Sequence, residues 1–189
     1  MLSYFDLRKG VRFIFEGQPF EVLEFEQVSK AQDVVTARVK IRNLITGQVL
    51  EKSFHQSQTF EEADIEEVDL KFIFAKRGKY HFADVNNPQN RVELEESKIG
   101  EGAKFLKPGL ICKGLKFEGK IINVSLPTKV RLKVVSTQPP MKTGREKPGT
   151  KPATLETGAT VKVPIFIEEG DIIEVNTETG EYCQRVKEE

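Results

Sequence analysis

Hydrophobic positions along this chain recur mostly at every second residue. Val11-Arg12-Phe13-Ile14-Phe15 is followed by Glu16-Gly17-Gln18-Pro19 and then by Phe20-Glu21-Val22-Leu23-Glu24-Phe25. Two apolar runs of this kind about a Gly-containing polar break predict a β-hairpin. From Ala37 the order apolar then basic repeats through Arg38, Val39, Lys40, Ile41 and Arg42, breaks at Thr46-Gly47 and resumes over 48–54. A period of two with one apolar face marks a strand whose other face meets water. Similar breaks fall at Lys76-Arg77-Gly78, Asn86-Asn87-Pro88, Glu118-Gly119, Thr157-Gly158 and Thr179-Gly180. Short strands between such turns predict a mainly all-β chain of small barrels or sandwiches. Only Val92-Glu93-Leu94-Glu95-Glu96-Ser97-Lys98-Ile99 reads as a helix, ended by Gly100 and Gly102, with Ala103-Lys104-Phe105-Leu106 adding a turn before Pro108.

The pattern also suggests where the chain divides. The acidic run Glu61-Glu62-Ala63-Asp64-Ile65-Glu66-Glu67 and the region around Leu126-Pro127-Thr128 separate 1–65, 66–128 and 129–189. Each piece is near the lower size limit for an independent core, so contacts between pieces are expected to support them.

Composition narrows the class. With 38% hydrophobic residues, zero net charge and 13 Phe against no Trp, the 189-residue chain is neither disordered nor low-complexity. No apolar run approaches the roughly 18 residues of a membrane span, and the N-terminus lacks a signal-peptide pattern, so a cytoplasmic protein without a membrane partner is expected. Zero net charge conceals segregation: 61–69 hold 6 acids and no base, whereas 129–152 hold 7 bases against Glu146 alone. Local stripes govern the field within a Debye length of about 8 Å. A solvated surface faced by acids of the tail is an equally ordinary account of that stripe.

Enzymatic chemistry finds little footing. His55 and His81 sit in alternating, strand-like contexts, as partly exposed strand residues do. Cys112 and Cys183 form no CxxC or disulfide framework. Ser3, Ser29, Ser53 and Ser97 lie in no nucleophile elbow, and no phosphate-binding glycine loop occurs. The acidic run matches no EF-hand spacing. No metal site, cofactor or catalytic residue is expected.

Nucleic-acid binding fits better. Arg38, Lys40 and Arg42 would form a ladder on one strand face, about 7 Å per step. The segment 138–152, with Lys142, Arg145, Lys147 and Lys151 among Pro and Gly, reads as a long basic loop suited to phosphates.

One segment is far more specific. Residues 151–170 follow the pattern K-x-A-x4-G-x2-V-x-V-P-x2-I-x2-G, with Lys151, Ala153, Gly158, Val161, Val163, Pro164, Ile167 and Gly170 at the fixed places. It closely resembles the signature of the bacterial translation elongation factor P family, and the likeness continues in Asp171–Thr177, Gly180–Val186 and Ala37–Leu44. The resemblance implies an SH3-like (KOW-type) barrel at 1–65 and OB-fold barrels at 66–128 and 129–189, in an L-shaped arrangement like tRNA. It implies a monomeric, non-enzymatic factor that binds the ribosome, its rRNA and the peptidyl-tRNA, and relieves stalls at consecutive prolines. A paralogous ribosomal factor, or a barrel protein binding free single-stranded RNA, are the alternatives.

Two departures from the family follow from residue identity. The family's first-domain loop usually carries Lys or Arg at its tip, often enzymatically extended. Here the tip is Lys30-Ala31-Gln32-Asp33, with Gln32 at the modified place. An unmodified tip working through the Gln32 amide is preferred to Lys30 taking over; a plain hairpin connector is the third reading, and whether a modifying enzyme acts stays open. The family often has Gly-Asp-Thr in the third-domain loop, where this chain has Thr143-Gly144-Arg145. That change would move contacts from base edges toward phosphates. Tyr182 and Arg185 stand at family positions expected to touch RNA, although Tyr182 fits a barrel core equally well.

Overall fold

The computed structural model describes residues 1–29, 35–139 and 149–187. The first strands are β1 (Leu2–Ser3), β2 (Arg12–Phe15), β3 (Gln18–Ser29), β4 (Val35–Asn43), β5 (Val49–His55) and β6 (Thr59–Glu62). They form a six-stranded sheet in the order β1-β6-β2-β3-β4-β5. Next come β7 (Ile65–Lys76), β8 (Lys79–Asp84), β9 (Arg91–Glu95), the one-turn helix α1 (Glu96–Ile99), a 3₁₀ turn (Glu101–Phe105), β10 (Ile111–Phe117) and β11 (Lys120–Ser125). The last are β12 (Lys129–Thr137), β13 (Thr150–Leu155), β14 (Thr160–Pro164), β15 (Ile172–Asn176) and β16 (Tyr182–Val186). The second and third sheets have the orders β11-β10-β7-β8-β9 and β14-β13-β12-β15-β16. In strand rank these are the same arrangement, with first beside second and fourth, third beyond second and fifth beyond fourth. That shared order is the one OB-type barrels use.

The predicted hairpin at 11–25 is present, with a tighter turn than expected. Phe15 pairs with Gln18, so only Glu16 (φ 51°) and Gly17 (φ 77°) lie in the turn, and Gln18 and Pro19 already belong to β3. Positive φ at both central residues is the type I′ geometry, whose twist matches that of the flanking strands. The same arrangement recurs at Arg77-Gly78 and Glu118-Gly119. The helix expected over Val92–Ile99 is corrected: Arg91–Glu95 is strand, and only Glu96–Ile99 is helical. Val92 and Leu94 alternate inward with exposed Arg91, Glu93 and Glu95. Pairing with β8 overrides the helix preference of Glu and Leu, since propensity is the weaker influence.

Compactness groups the chain into two units, each discontinuous in sequence: Met1–Val68 with Leu94–Ile99 and Lys113–Val124, and Asp69–Glu93 with Gly100–Cys112 and Ser125–Glu189. The first unit packs around Phe13. Phe20, Val22, Ala37, Val39, Ile41, Phe54 and Phe60 close on it, and Phe60 meets its ring edge-to-face at 5.3 Å. This unit also contains a polar lock. Asn123 is fully buried, and its Nδ2 donates to the carbonyls of Leu44 (3.1 Å) and Lys98 (2.8 Å). Beside it, Gly47 runs so close to α1 that a Cβ there would stand 2.3 Å from the Ser97 carbonyl oxygen. In the second unit, Leu132, Val134, Ala153, Leu155, Val161, Val163, Ile167, Ile173 and Val175 form the core, joined by Phe105 from the 3₁₀ turn. Among the described residues, no helix is long and apolar enough to cross a membrane.

Candidate nucleic-acid interface

The β3–β4 hairpin leads to the expected tip. Its arms stay paired to Ser29↔Val35 across one bulge at Leu23, and Lys30, Ala31 and Gln32 lie outside the described residues. On β4, Ala37, Val39 and Ile41 point inward, while Arg38, Lys40 and Arg42 share the other face as the alternation predicts. That face is not a bare cationic ladder. Glu26, Glu24 and Glu21 of β3 stand directly opposite Arg38, Lys40 and Arg42, and Glu51 of β5 flanks Lys40 from the other side. The Lys40 ammonium is 4.0 Å from the Glu24 carboxylate. Opposite charges placed across strands stabilise the sheet and cancel much of the field a phosphate would feel. Arg38 alone of the three is exposed.

Arg42 is committed elsewhere. Its Nη1 donates to the Ile99 carbonyl at 3.1 Å, and its buried Nε has no partner among the described residues. Burial pulls its pKa below the ordinary arginine value, against the opposing pull of Glu21. Lys151 has a similar fate: it is 5% exposed on the inward face of β13, with its ammonium donating to the Gln138 carbonyl. Both cations serve protein carbonyls where phosphate contacts were expected. The family signature is largely a packing record too, since Lys151, Ala153, Val161, Val163 and Ile167 are all buried.

Lys142, Gly144, Arg145 and Lys147 lie outside the described residues. The strand leading to them does present cations: Lys129, Arg131 and Lys133 are exposed on β12, alternating with buried Val130, Leu132 and Val134. Glu174 of β15 stands opposite Arg131 and 3.8 Å from the Lys129 ammonium, and it also accepts from Gln184 Nε2 at 2.8 Å. On β16, Tyr182 is half-buried against the core, and burial raises its phenol pKa. Arg185 is exposed; its guanidinium lies 5.4 Å from the Phe166 ring centre and 3.9 Å from the Asp171 carboxylate. Phe166 is 51% exposed. Arginine over an aromatic face is a common stacking surface for nucleotides.

The described residues contain no group of three His, Cys, Asp or Glu side chains placed to hold a metal ion. Comparison with known proteins covers nearly the whole chain. The KOW-like domain model of elongation factor P matches residues 3–60, the elongation factor P OB domain model 65–124, and the elongation factor P C-terminal model 130–185. Elongation factor P of Agathobacter rectalis is 38% identical over 98% of this chain and 100% of its own length. Those of Acetivibrio thermocellus and Thermodesulfovibrio yellowstonii are 37% and 34% identical, over 98% and 100% of this chain and 100% of each relative.

The chain belongs to the elongation factor P family. It is a translation elongation factor, in a family that acts without catalysing a reaction of its own, and membership implies interaction with the ribosome and tRNA. The three sheets fit the KOW-type barrel and OB-type barrels expected of that family.

Proposed function

We propose that this chain binds the ribosome beside the peptidyl-tRNA and speeds peptide bonds at consecutive prolines by holding the tRNA end in place. In this reading 1–65 forms the domain that carries the tip, and 66–128 and 129–189 are the OB-type barrels that grip RNA. Proline attacks poorly in this setting because its nitrogen is secondary and its φ is fixed near −65°. A factor that restricts the reacting end offsets the entropic part of the barrier, and a tenfold gain in rate requires only about 1.4 kcal/mol. The ribosome supplies the chemistry and this chain supplies position.

The observation that carries the reading is the β3–β4 ribbon. It contains a 12-residue strand and a 9-residue strand, antiparallel to their last described pair, Ser29↔Val35. On β3 the buried positions end at Val22, with Phe25 still packed against the core, and on β4 they begin at Ala37; β5 pairs with β4 as far as Thr36↔His55, so the ribbon runs past its neighbours only at its last described pair. A long paired ribbon reaches farther and more stiffly than a single loop. At its end, the Gln32 amide offers two donors and an acceptor without modification. Arg38, Arg185 and the loop cations Lys142, Arg145 and Lys147, with Tyr182, are the proposed RNA contacts.

Translation of a reporter containing a Pro-Pro-Pro run, with and without the purified protein, tests this. Relief of the stall by the protein is expected. No relief points to a paralogous factor or to a binder of free RNA.

A further inference from the structure

The second sheet contains an aromatic pair where alternation would not place one. Phe72 and Phe74 are two residues apart on β7, and in a regular strand they would share a face. Phe72 is 3% exposed and packs on Phe82 at 5.5 Å. Between them the register slips: Phe72 pairs with Phe82, but Phe74 pairs with His81, so Ile73 is the extra residue of a β-bulge. The bulge turns Phe74 onto the opposite face, where it is 46% exposed. There its ring stacks on the His81 imidazole, with centroids 4.3 Å apart and planes 14° from parallel. The Glu93 carboxylate of β9 lies 3.9 Å from His81 Nδ1 and 3.3 Å from the Lys79 ammonium.

The same hairpin gathers cations. Lys76 and Lys79 are directly paired across it, and Arg77 occupies the turn between them with Gly78. Lys76 lies two residues beyond Phe74 and Lys79 two before His81, one strand step of about 7 Å on the same face. Lys76 and Arg77 make no ion pair with any described residue, and both are exposed. Like charges opposed across a hairpin destabilise it, and an exposed ring pair gives up burial. Neither feature is explained by folding. A polyanion with flat, stackable units reconciles both.

We propose that the outward face of the β7–β8 hairpin is an RNA contact, in which a nucleobase stacks on the Phe74–His81 pair while Lys76 and Arg77 hold the flanking phosphates. This names a further part of the RNA grip and rests on the ribosome-binding reading above. The occupant is an unpaired nucleotide, because a base inside a duplex cannot offer its face to a protein ring.

Since the chain contains no tryptophan, Phe74→Trp introduces a single indole at the site. Titration with a single-stranded RNA of about 12 nucleotides, within the span an OB fold covers, is expected to quench that indole. A Val85→Trp control, at a 45% exposed position just past the far end of β8, is expected to stay unquenched. No quenching at position 74, or equal quenching at both positions, overturns the proposal. In parallel, Phe74→Ala is expected to weaken co-sedimentation with ribosomes roughly 5- to 150-fold, while Phe74→Trp retains wild-type affinity. Equal affinity of Phe74→Ala and wild type overturns it. Weaker ribosome binding with no quenching by RNA assigns the face to a protein and overturns it as well. If wild-type protein itself fails to sediment with ribosomes, the ribosome-binding reading falls, whereas the indole titration still judges the stacking site by itself. Unchanged melting of Phe74→Ala is expected, because the ring it removes lies outside the core.

Discussion

Cys112 and Cys183 show how far position separates two identical side chains. Burial pushes the Cys112 thiol up to about 12, whereas Cys183 is exposed on β16. Only a thiolate reacts with an aromatic disulfide reagent. The native protein is therefore expected to release one equivalent of chromophore at pH 8 and the second only after denaturation; two equivalents from the native protein would contradict the burial. Asp6 titrates in the opposite sense. Its carboxylate accepts from the Ser3 backbone N–H at 2.8 Å and from the Ser3 hydroxyl at 2.9 Å, and those bonds lower its pKa below the ordinary 3.8. A depressed carboxylate contributes stability above its unfolded value, and that contribution is lost as pH falls through the lower folded value. An NMR titration should place the Asp6 midpoint below 3.8, and Ser3→Ala should move it upward. A wild-type midpoint at or above 3.8 would contradict the hydrogen bonds.

Among the elements, the lock in the first unit makes the sharpest demand. Asn123→Ala leaves the buried Leu44 carbonyl and the part-buried Lys98 carbonyl without the donor they share, at about 1–3 kcal/mol for a buried group left unsatisfied. Gly47→Ala adds a Cβ 2.3 Å from the Ser97 oxygen at a residue with φ 80°. Urea unfolding should show both variants destabilised by at least about 1 kcal/mol. Wild-type stability for either would mean that the lock does not form. The type I′ turns offer the converse test: Glu118→Asn places a residue that tolerates positive φ at φ 51° and should stabilise by up to about 1 kcal/mol.

Much of this architecture was legible. The Glu16-Gly17, Arg77-Gly78 and Glu118-Gly119 breaks marked hairpins because type I′ turns need positive φ, and the 151–170 pattern was diagnostic because most of its fixed residues are core. The β4 alternation also held, with Arg38, Lys40 and Arg42 on one face. What escaped was whatever depends on a neighbouring strand. Arg91–Glu95 looked helical because the pairing with β8 is not written locally. Phe74 faces solvent because a bulge inverts parity without altering composition. The carboxylates opposite β4 and the carbonyls that hold Arg42 and Lys151 come from distant segments, so a row of cations looked more available to phosphate than it is.

For the molecule as a whole, the balance of 29 bases and 29 acids means that RNA must be met by local groups and not by net attraction. Binding should then lose steepness one cation at a time. Arg145→Ala is expected to reduce the slope of log affinity for ribosomes against log salt by about 0.7–0.9. An unchanged slope would remove Arg145 from the phosphate contacts. Lys151→Met, by contrast, should leave the slope unchanged, since its ammonium is held by the Gln138 carbonyl.

The central claim is that position, delivered by an unmodified tip, is what this chain contributes. It is tested most directly by the single-turnover rate of Pro–Pro bond formation on reconstituted ribosomes. That rate would be measured without factor, with the wild-type protein made in the absence of modifying enzymes and confirmed unmodified by mass, and with Gln32→Ala. The account predicts at least about a tenfold acceleration by the unmodified wild type, corresponding to about 1.4 kcal/mol, with most of it lost in Gln32→Ala. No acceleration by the unmodified protein, or full acceleration by Gln32→Ala, would contradict it.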